Sequence, residues 1–313
     1  MQFGAQVSCY RTTWGNIRQV IDTMEAAPRW GSLWFADHYL PPSGALVRSE
    51  EEHLAAHEGF SLIAAAAGIT QRMRLGHLVL GNTYRNPALV AKMATTVDQI
   101  SHGRFTLSIG AAWFQREHEA FGWRFPELRE RSDRLEEACA LLRALLTADG
   151  PVDFDGQYYQ LDQAQLSPGS FQTPHIPILV GGTGERRTLR TLAMYGDIFN
   201  LDGWARGPMT LDYYYHKVGV LERHCEKVGR DPTEIKRTIL MPVMVTDDAE
   251  AAARFIAARS LGEGTLAGPK DYVIERIGEF VEAGVDEIMF GGLLTDNIET
   301  YHQFEEEILS AFD

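Results

Sequence analysis

The stretch LWFADHYLPPSG, residues 33–44, is an apolar run that stops on an acid and an imidazole, Asp37 and His38, just before a proline-rich loop. Histidine titrates near neutrality, so His38 is the candidate for giving, taking or holding a proton beside a reacting group. Asp37 is the second catalytic candidate. Neighbouring strand residues leave on opposite faces, so a direct Asp37-to-His38 relay would need a bend. A second stretch, VGGTGERRTLR at 180–190, couples glycines that let backbone approach a ligand to a helix start whose free N–H groups suit an anion. Gly181, Gly182 and Thr183 form the turn. Arg186, Arg187 and Arg190 follow it and could meet a phosphate or an acidic tail. In IGAAWF, residues 109–114, Gly110 and Ala111 let backbone pack close to a ring and Trp113 could wall it. Asn200, closing a later strand-like run, could hydrogen-bond a cofactor or substrate. The bland readings are a hydrogen-bonded strand end, a plain strand-to-helix turn, a core tryptophan and a loop cap.

Other chemistries lack their residues. His53 and His57 stand four apart near Glu58, but Leu54 occupies the place where a zinc protease carries glutamate. His118, between Glu117 and Glu119, has no clear partner, and no metal site is expected. Neither a nucleophile elbow, a P-loop nor zinc-finger spacing occurs. The chain has 313 residues, 45% of them hydrophobic, and a formal charge of −14, which argues against nucleic acid or an anionic membrane as partner. Three dispersed cysteines, Cys9, Cys139 and Cys225, fit a reduced cytoplasmic protein. No apolar run is long enough to span a bilayer, and the N-terminus lacks the basic and apolar segments of a signal peptide.

The elements that must hold these residues alternate from end to end. Strand-like FGAQVSC, GSLWFAD, MRLGHLVLG, RFTLSIG, IPILVGG, DIFNLDG, KRTILMPVMV and VDEIMFGG are each followed by a helical stretch. Eight such pairs predict one closed (β/α)8 barrel, a TIM barrel, across residues 1–313; an open doubly wound sheet is the alternative. Two segments, near 112–129 and 151–175, exceed ordinary loop length, and such insertions are usually functional or interfacial. In the second, Asp155-Gly156 reads as a hairpin turn. Strand parity puts Gly4, Gln6 and Ser8 on one face and Thr106, Ser108 and Gly110 on another. Such small faces suggest room for a ligand at one end of the barrel. Aromatics in AFGWRFPE, GWARGPM and DYYYH could close over it or serve a subunit contact.

The order of DH after the second strand, LGHLVLGNTYRNPALVAKMATTVDQISHGRF at 75–105, IGAAW, EHEAFG, PHIPILVGGTGERRTLR and CEKVGRDPTEI resembles the luciferase-like monooxygenase superfamily over nearly the whole chain. Within it the chain is most similar to the bacterial coenzyme F420-dependent oxidoreductases. The resemblance implies a flavin or deazaflavin at the C-terminal face of the barrel, His38 near its reactive ring carbon, and a homodimer. It also implies a bulge in the third strand with a non-prolyl cis peptide between Leu78 and Val79, backing the ring. The chain departs from the family at Ala112, where a glycine is common, and at Trp113, which matches the catalytic glutamate of sugar-phosphate dehydrogenases. The expected function is hydride transfer between F420 and a small organic substrate. An FMN-dependent monooxygenase and a non-catalytic flavin-binding homologue are the alternatives.

Overall fold

A computed structural model describes residues 1–42, 55–205 and 207–313. Its strands are β1 (Gln2–Gln6), β2 (Trp30–Phe35), β3 (Arg74–His77), β4 (Leu80–Gly81), β5 (Phe105–Gly110), β6 (Val152–Asp155), β7 (Gln160–Ala164), β8 (Ile178–Gly181), β9 (Ile198–Asp202), β10 (Lys236–Val245), β11 (Leu266–Gly268) and β12 (Glu287–Gly291). The helices are α1 (Trp14–Ala26), α2 (Gly59–Ile69), α3 (Pro87–Ile100), α4 (Gln115–Ala120), α5 (Leu128–Thr147), α6 (Thr188–Tyr195), α7 (Leu211–Val228), α8 (Ala249–Arg259), α9 (Lys270–Glu282) and α10 (Glu299–Glu307). Parallel pairing runs β1, β2, β3 with β4, β5, β8, β9, β10, β12 and back to β1, which closes an eight-stranded barrel. The eight strand-like runs of the sequence are these eight staves.

Amphipathic helices cover the barrel. In α1 the buried residues Ile17, Val20, Ile21 and Met24 fall on one stripe, each contributing about 1.5–3 kcal/mol on burial. Side-chain caps set the helix starts: Thr13 for α1, Glu58 for α2, and Asn86 before Pro87 for α3.

Three readings need correction. Between α8 and β12 the chain adds β11 and α9, a strand–helix pair beyond the eight. The strand β11 has three residues and pairs only with the end of β10, too short for a periodic pattern. The helix had a signal, Val273, Ile277 and Phe280 on one buried face. Second, the hairpin turns over Gly156–Tyr159, because Asp155 still pairs with Gln160. The longer loop wraps the carboxylate of Glu137, which accepts the N–H groups of Gln157, Tyr158 and Tyr159 at 3.0, 2.7 and 2.6 Å. Third, the small faces are filled largely by the chain itself. A Cβ at Gly4 would meet Ser32 Oγ at 2.0 Å and one at Gly76 would meet the Trp34 ring at 2.3 Å, so these glycines make room for a fully buried Trp34. With Leu179, Ile198, Leu240 and Met289, Trp34 plugs the lumen, and Leu78, Val79 and Trp204 pack against this plug.

Candidate active site at the C-terminal mouth of the barrel

His38 follows β2 at the C-terminal end of the barrel. Its Nδ1 lies 2.8 Å from Oε1 of Glu117, which sits on α4 within the 112–129 insertion. Glu117 is fully buried and also accepts the N–H groups of Tyr39 and Leu40 at 2.8 and 3.3 Å and the phenol of Tyr84. Burial would raise its pKa; hydrogen bonds and the charge of His38, with the Tyr84 and Tyr39 donors, outweigh that and hold the carboxyl below its ordinary range. Tyr84 is pushed the other way, upward, by burial and by its bond to Glu117. The His38 ring is edged by Trp113 at 5.4 Å and Phe114 at 5.8 Å, with Tyr10 at 6.5 Å. Its Nε2 has no partner among the described residues. A carboxylate on Nδ1 fixes the ring and leaves Nε2 to serve the mouth.

Asp37 does different work. Its two oxygens take a bidentate pair from Arg85, both at 2.8 Å, and Oδ2 also accepts Gly81 N–H at 2.9 Å. Arg85 reaches on to Glu58, the cap of α2. Asp37 is therefore a latch between β2, β4 and α2, and it does not contact His38. Burial pulls the Arg85 guanidinium down, but Asp37 outweighs it and leaves it above its ordinary value.

Between β3 and β4 the Leu78–Val79 peptide is cis, at the position the resemblance implies. Gly81, Gly110 and Gly181 stand in register on neighbouring strands. A Cβ at Gly110 would meet Val79 Cγ2 at 2.9 Å and one at Gly181 would meet it at 2.6 Å, so Val79 rests in a glycine seam near the mouth. Ala111 packs against the core, and Ala112 takes a left-handed φ of 59° with its carbonyl bound by Arg131. Trp113 then projects with 61% of its surface exposed, stacked on Phe114.

The GGTG turn follows β8, the fifth stave. Gly182 needs its φ of 112°, a region that side chains avoid. The buried Lys217 of α7 donates to the Thr183 carbonyl at 3.2 Å and to Glu185 at 2.6 Å, tying the turn down. Two of the three arginines are otherwise engaged. Arg187 binds Asp133, and Arg190 lies 3.1 Å from Glu136, both acids of α5, which leaves Arg186 exposed. Sequence could not show this, because α5 lies some 54 residues upstream. Asn200 pairs in register with Gly181 and turns inward, donating to Thr238 Oγ1 at 2.9 Å.

Glu117 is the residue that sequence reasoning passed over. Its signal was EHEAFG in an over-long loop, but an exposed-looking acid gives no sign that folding will bury it against His38. His118 does have partners: Nε2 lies 2.7 Å from Thr83 Oγ1 and Nδ1 lies 2.8 Å from the Phe114 carbonyl. The insertion's aromatics pack on one another, with Trp123 against Tyr39, Tyr84 and Phe121. His57 meets the Thr12 carbonyl at 3.0 Å, while His53 lies outside the described residues. Among the described residues no group of three or more His, Cys, Asp or Glu is placed to hold a metal, and no helix is long and apolar enough to cross a membrane.

Residues 2–262 match the family described as luciferase-like monooxygenase. An F420-dependent glucose-6-phosphate dehydrogenase of Amycolatopsis mediterranei (strain U-32) is 26% identical over 313 residues, covering 89% of each chain. An FMNH(2)-dependent dimethylsulfone monooxygenase of Pseudomonas putida is 27% identical over 290 residues, covering 80% of this chain and 76% of that protein. The solved structure of an F420-dependent secondary alcohol dehydrogenase in complex with an F420-acetone adduct superposes with a TM-score of 0.81 at 21% identity, covering 100% of this chain and 99% of the other.

Proposed function

Because the chain belongs to the luciferase-like monooxygenase family, we propose that it is an F420-dependent oxidoreductase moving a hydride between the deazaflavin and a small organic substrate. The observation that carries this reading is the His38–Glu117 pair beside the glycine seam at the barrel mouth. Similarity to an F420-dependent dehydrogenase over most of both chains supports the cofactor.

The residues present fit such a group. Leu78, Val79, Gly110, Ala111 and Trp113 would flank a planar ring, and Gly181, Gly182, Thr183 and Asn200 would meet it from the fifth and sixth staves. The open turn before α6 and the exposed Arg186 would receive an anionic tail. When bound, the deazaflavin supplies the hydride-transfer chemistry. The chain's own part is to hold a proton on His38 Nε2 or take one there, with Glu117 stabilising the charged imidazole. Asp37, through Arg85 and Gly81, holds β4 in place, and so would support the residues that flank the ring. Trp113, Phe114 and the remaining insertion would exclude water and choose the substrate. The chain is proposed to act as a cytoplasmic homodimer.

The similarity to an FMNH(2)-dependent monooxygenase favours a second reading, oxygen activation with FMN on the same residues. Equilibrium titration with F420 and FMN separates the two. Tighter binding of F420 is expected, and tighter binding of FMN would replace the first reading with the second.

A further inference from the structure

Buried and inward-facing carboxylates of this barrel mostly have a base beside them. Asp37 has Arg85, Glu117 has His38, Glu287 has Lys236 and Asp197 has Arg143. Asp202 is different. It ends β9 on the same strand face as Asn200 and Ile198, which points it into the barrel at its C-terminal rim. Among the described residues no cation pairs with it. Among the described residues its side chain has one hydrogen bond, from Trp204 N–H to Oδ1 at 2.9 Å, and Oδ2 is left over. Trp204 in turn donates Nε1 to Gln6 Oε1 at 2.9 Å, so this corner of the rim is fixed. His38 lies close enough for its charge to act on Asp202, although burial raises the carboxyl overall. Besides Glu117, the rings of Trp113, Phe114 and Tyr10 lie around His38.

A partly buried carboxylate with no ion-pair partner among the described residues, on a rim that also carries aromatic rings, suits an ammonium group. The same carboxylate repels an anion. We propose that Asp202 is a specificity-determining residue that selects an amine-bearing aromatic substrate and rejects carboxylates and phosphate esters. The proposal rests on the reading of the barrel mouth as the reaction site. Within it, the ring of the substrate packs on Trp113 and Phe114 while its ammonium group binds Asp202 Oδ2. Sugar phosphates find no free cation among the described residues beside His38.

Three phenyl compounds of matched length test this without any turnover: phenethylamine, phenethyl alcohol and hydrocinnamate. Their binding to the full chain is followed by quenching of intrinsic tryptophan fluorescence, with and without F420. The amine should bind at least about fivefold more tightly than the carboxylate. Asp202→Asn keeps the acceptor for Trp204 N–H and should abolish that preference. A preference for hydrocinnamate, equal binding of all three, no binding of the amine, or a preference that survives in Asp202→Asn would overturn the proposal. F420 affinity is measured in the same variant. A large loss there, with amine preference intact, would assign Asp202 to the cofactor and also overturn it. Failure of the wild-type chain to bind F420 would instead remove the F420 reading, and the amine preference would still be read on its own.

Discussion

His38 Nδ1 and Glu117 Oε1 are 2.8 Å apart, although 79 residues separate them in the chain. The bond joins the end of β2 to a short helix in the insertion after β5, so the His38 ring is aimed by a segment outside the barrel proper.

Replacing His38 with Ala is expected to lower turnover by on the order of a hundred- to ten-thousand-fold while leaving F420 affinity nearly unchanged. Steady-state kinetics and cofactor titration check it; near-normal turnover would reduce His38 to a strand-end residue.

Glu117→Gln should loosen the hold on the His38 ring and lower kcat without abolishing activity. It has a stability signature as well. The Glu117 pKa lies below its ordinary value in the fold, so its contribution is present above the ordinary carboxylate range and is lost as pH falls through the lowered folded value. Thermal unfolding between neutral pH and acid should therefore show a shallower acid-side fall in the variant than in the wild type.

His77 offers a second pH effect. It is fully buried between Phe60 and Phe105, and burial lowers its pKa from 6.5 to about 4. The unfolded chain takes up this proton first, so stability is full above pH 6.5 and declines as pH falls toward 4. The loss amounts to on the order of 3 kcal/mol. Denaturant titrations of His77→Leu across this range should show a smaller slope than the wild type; an identical slope would mean that His77 is protonated at little cost.

Gly181→Ala places a methyl group 2.6 Å from Val79 Cγ2. Overpacking of this kind costs about 1–3 kcal/mol, and displacement of Val79 should also weaken F420 binding. Unfolding midpoints and cofactor titration report the two effects, and an unperturbed variant would mean that Val79 has space to move.

Arg186→Ala should weaken F420 binding at low salt and much less at high salt, since an exposed arginine acts through a screened field. Arg190→Ala should leave cofactor affinity alone and change stability by less than about 1 kcal/mol, because Arg190 is spent on Glu136 at the surface.

The barrel was legible because strand periodicity and turn residues are local, and each stave carries its own apolar run. At the mouth, the close backbone approach of Gly110 and Gly181 and the turn at Gly182 could be read because that backbone chemistry is local too; their role toward a cofactor is a proposal. Pairings made by packing were not. Nothing near Arg187 announces Asp133, nothing near Gly4 announces Trp34, and Glu117 reads as one acid among several until α4 folds against β2.

The bonds that Glu117 makes to His38, Tyr39, Leu40 and Tyr84 have a practical meaning for anyone redesigning this enzyme. On the proposed reading, the 112–129 insertion is the segment to exchange when a new substrate range is wanted. It cannot be swapped as an independent cassette, because the graft would carry away the group that orients the ring on the far side of the mouth. A transplant that retains Glu117 and its turn of α4, and varies only Trp113 and the stretch from Phe121 onward, keeps selectivity and chemistry separable.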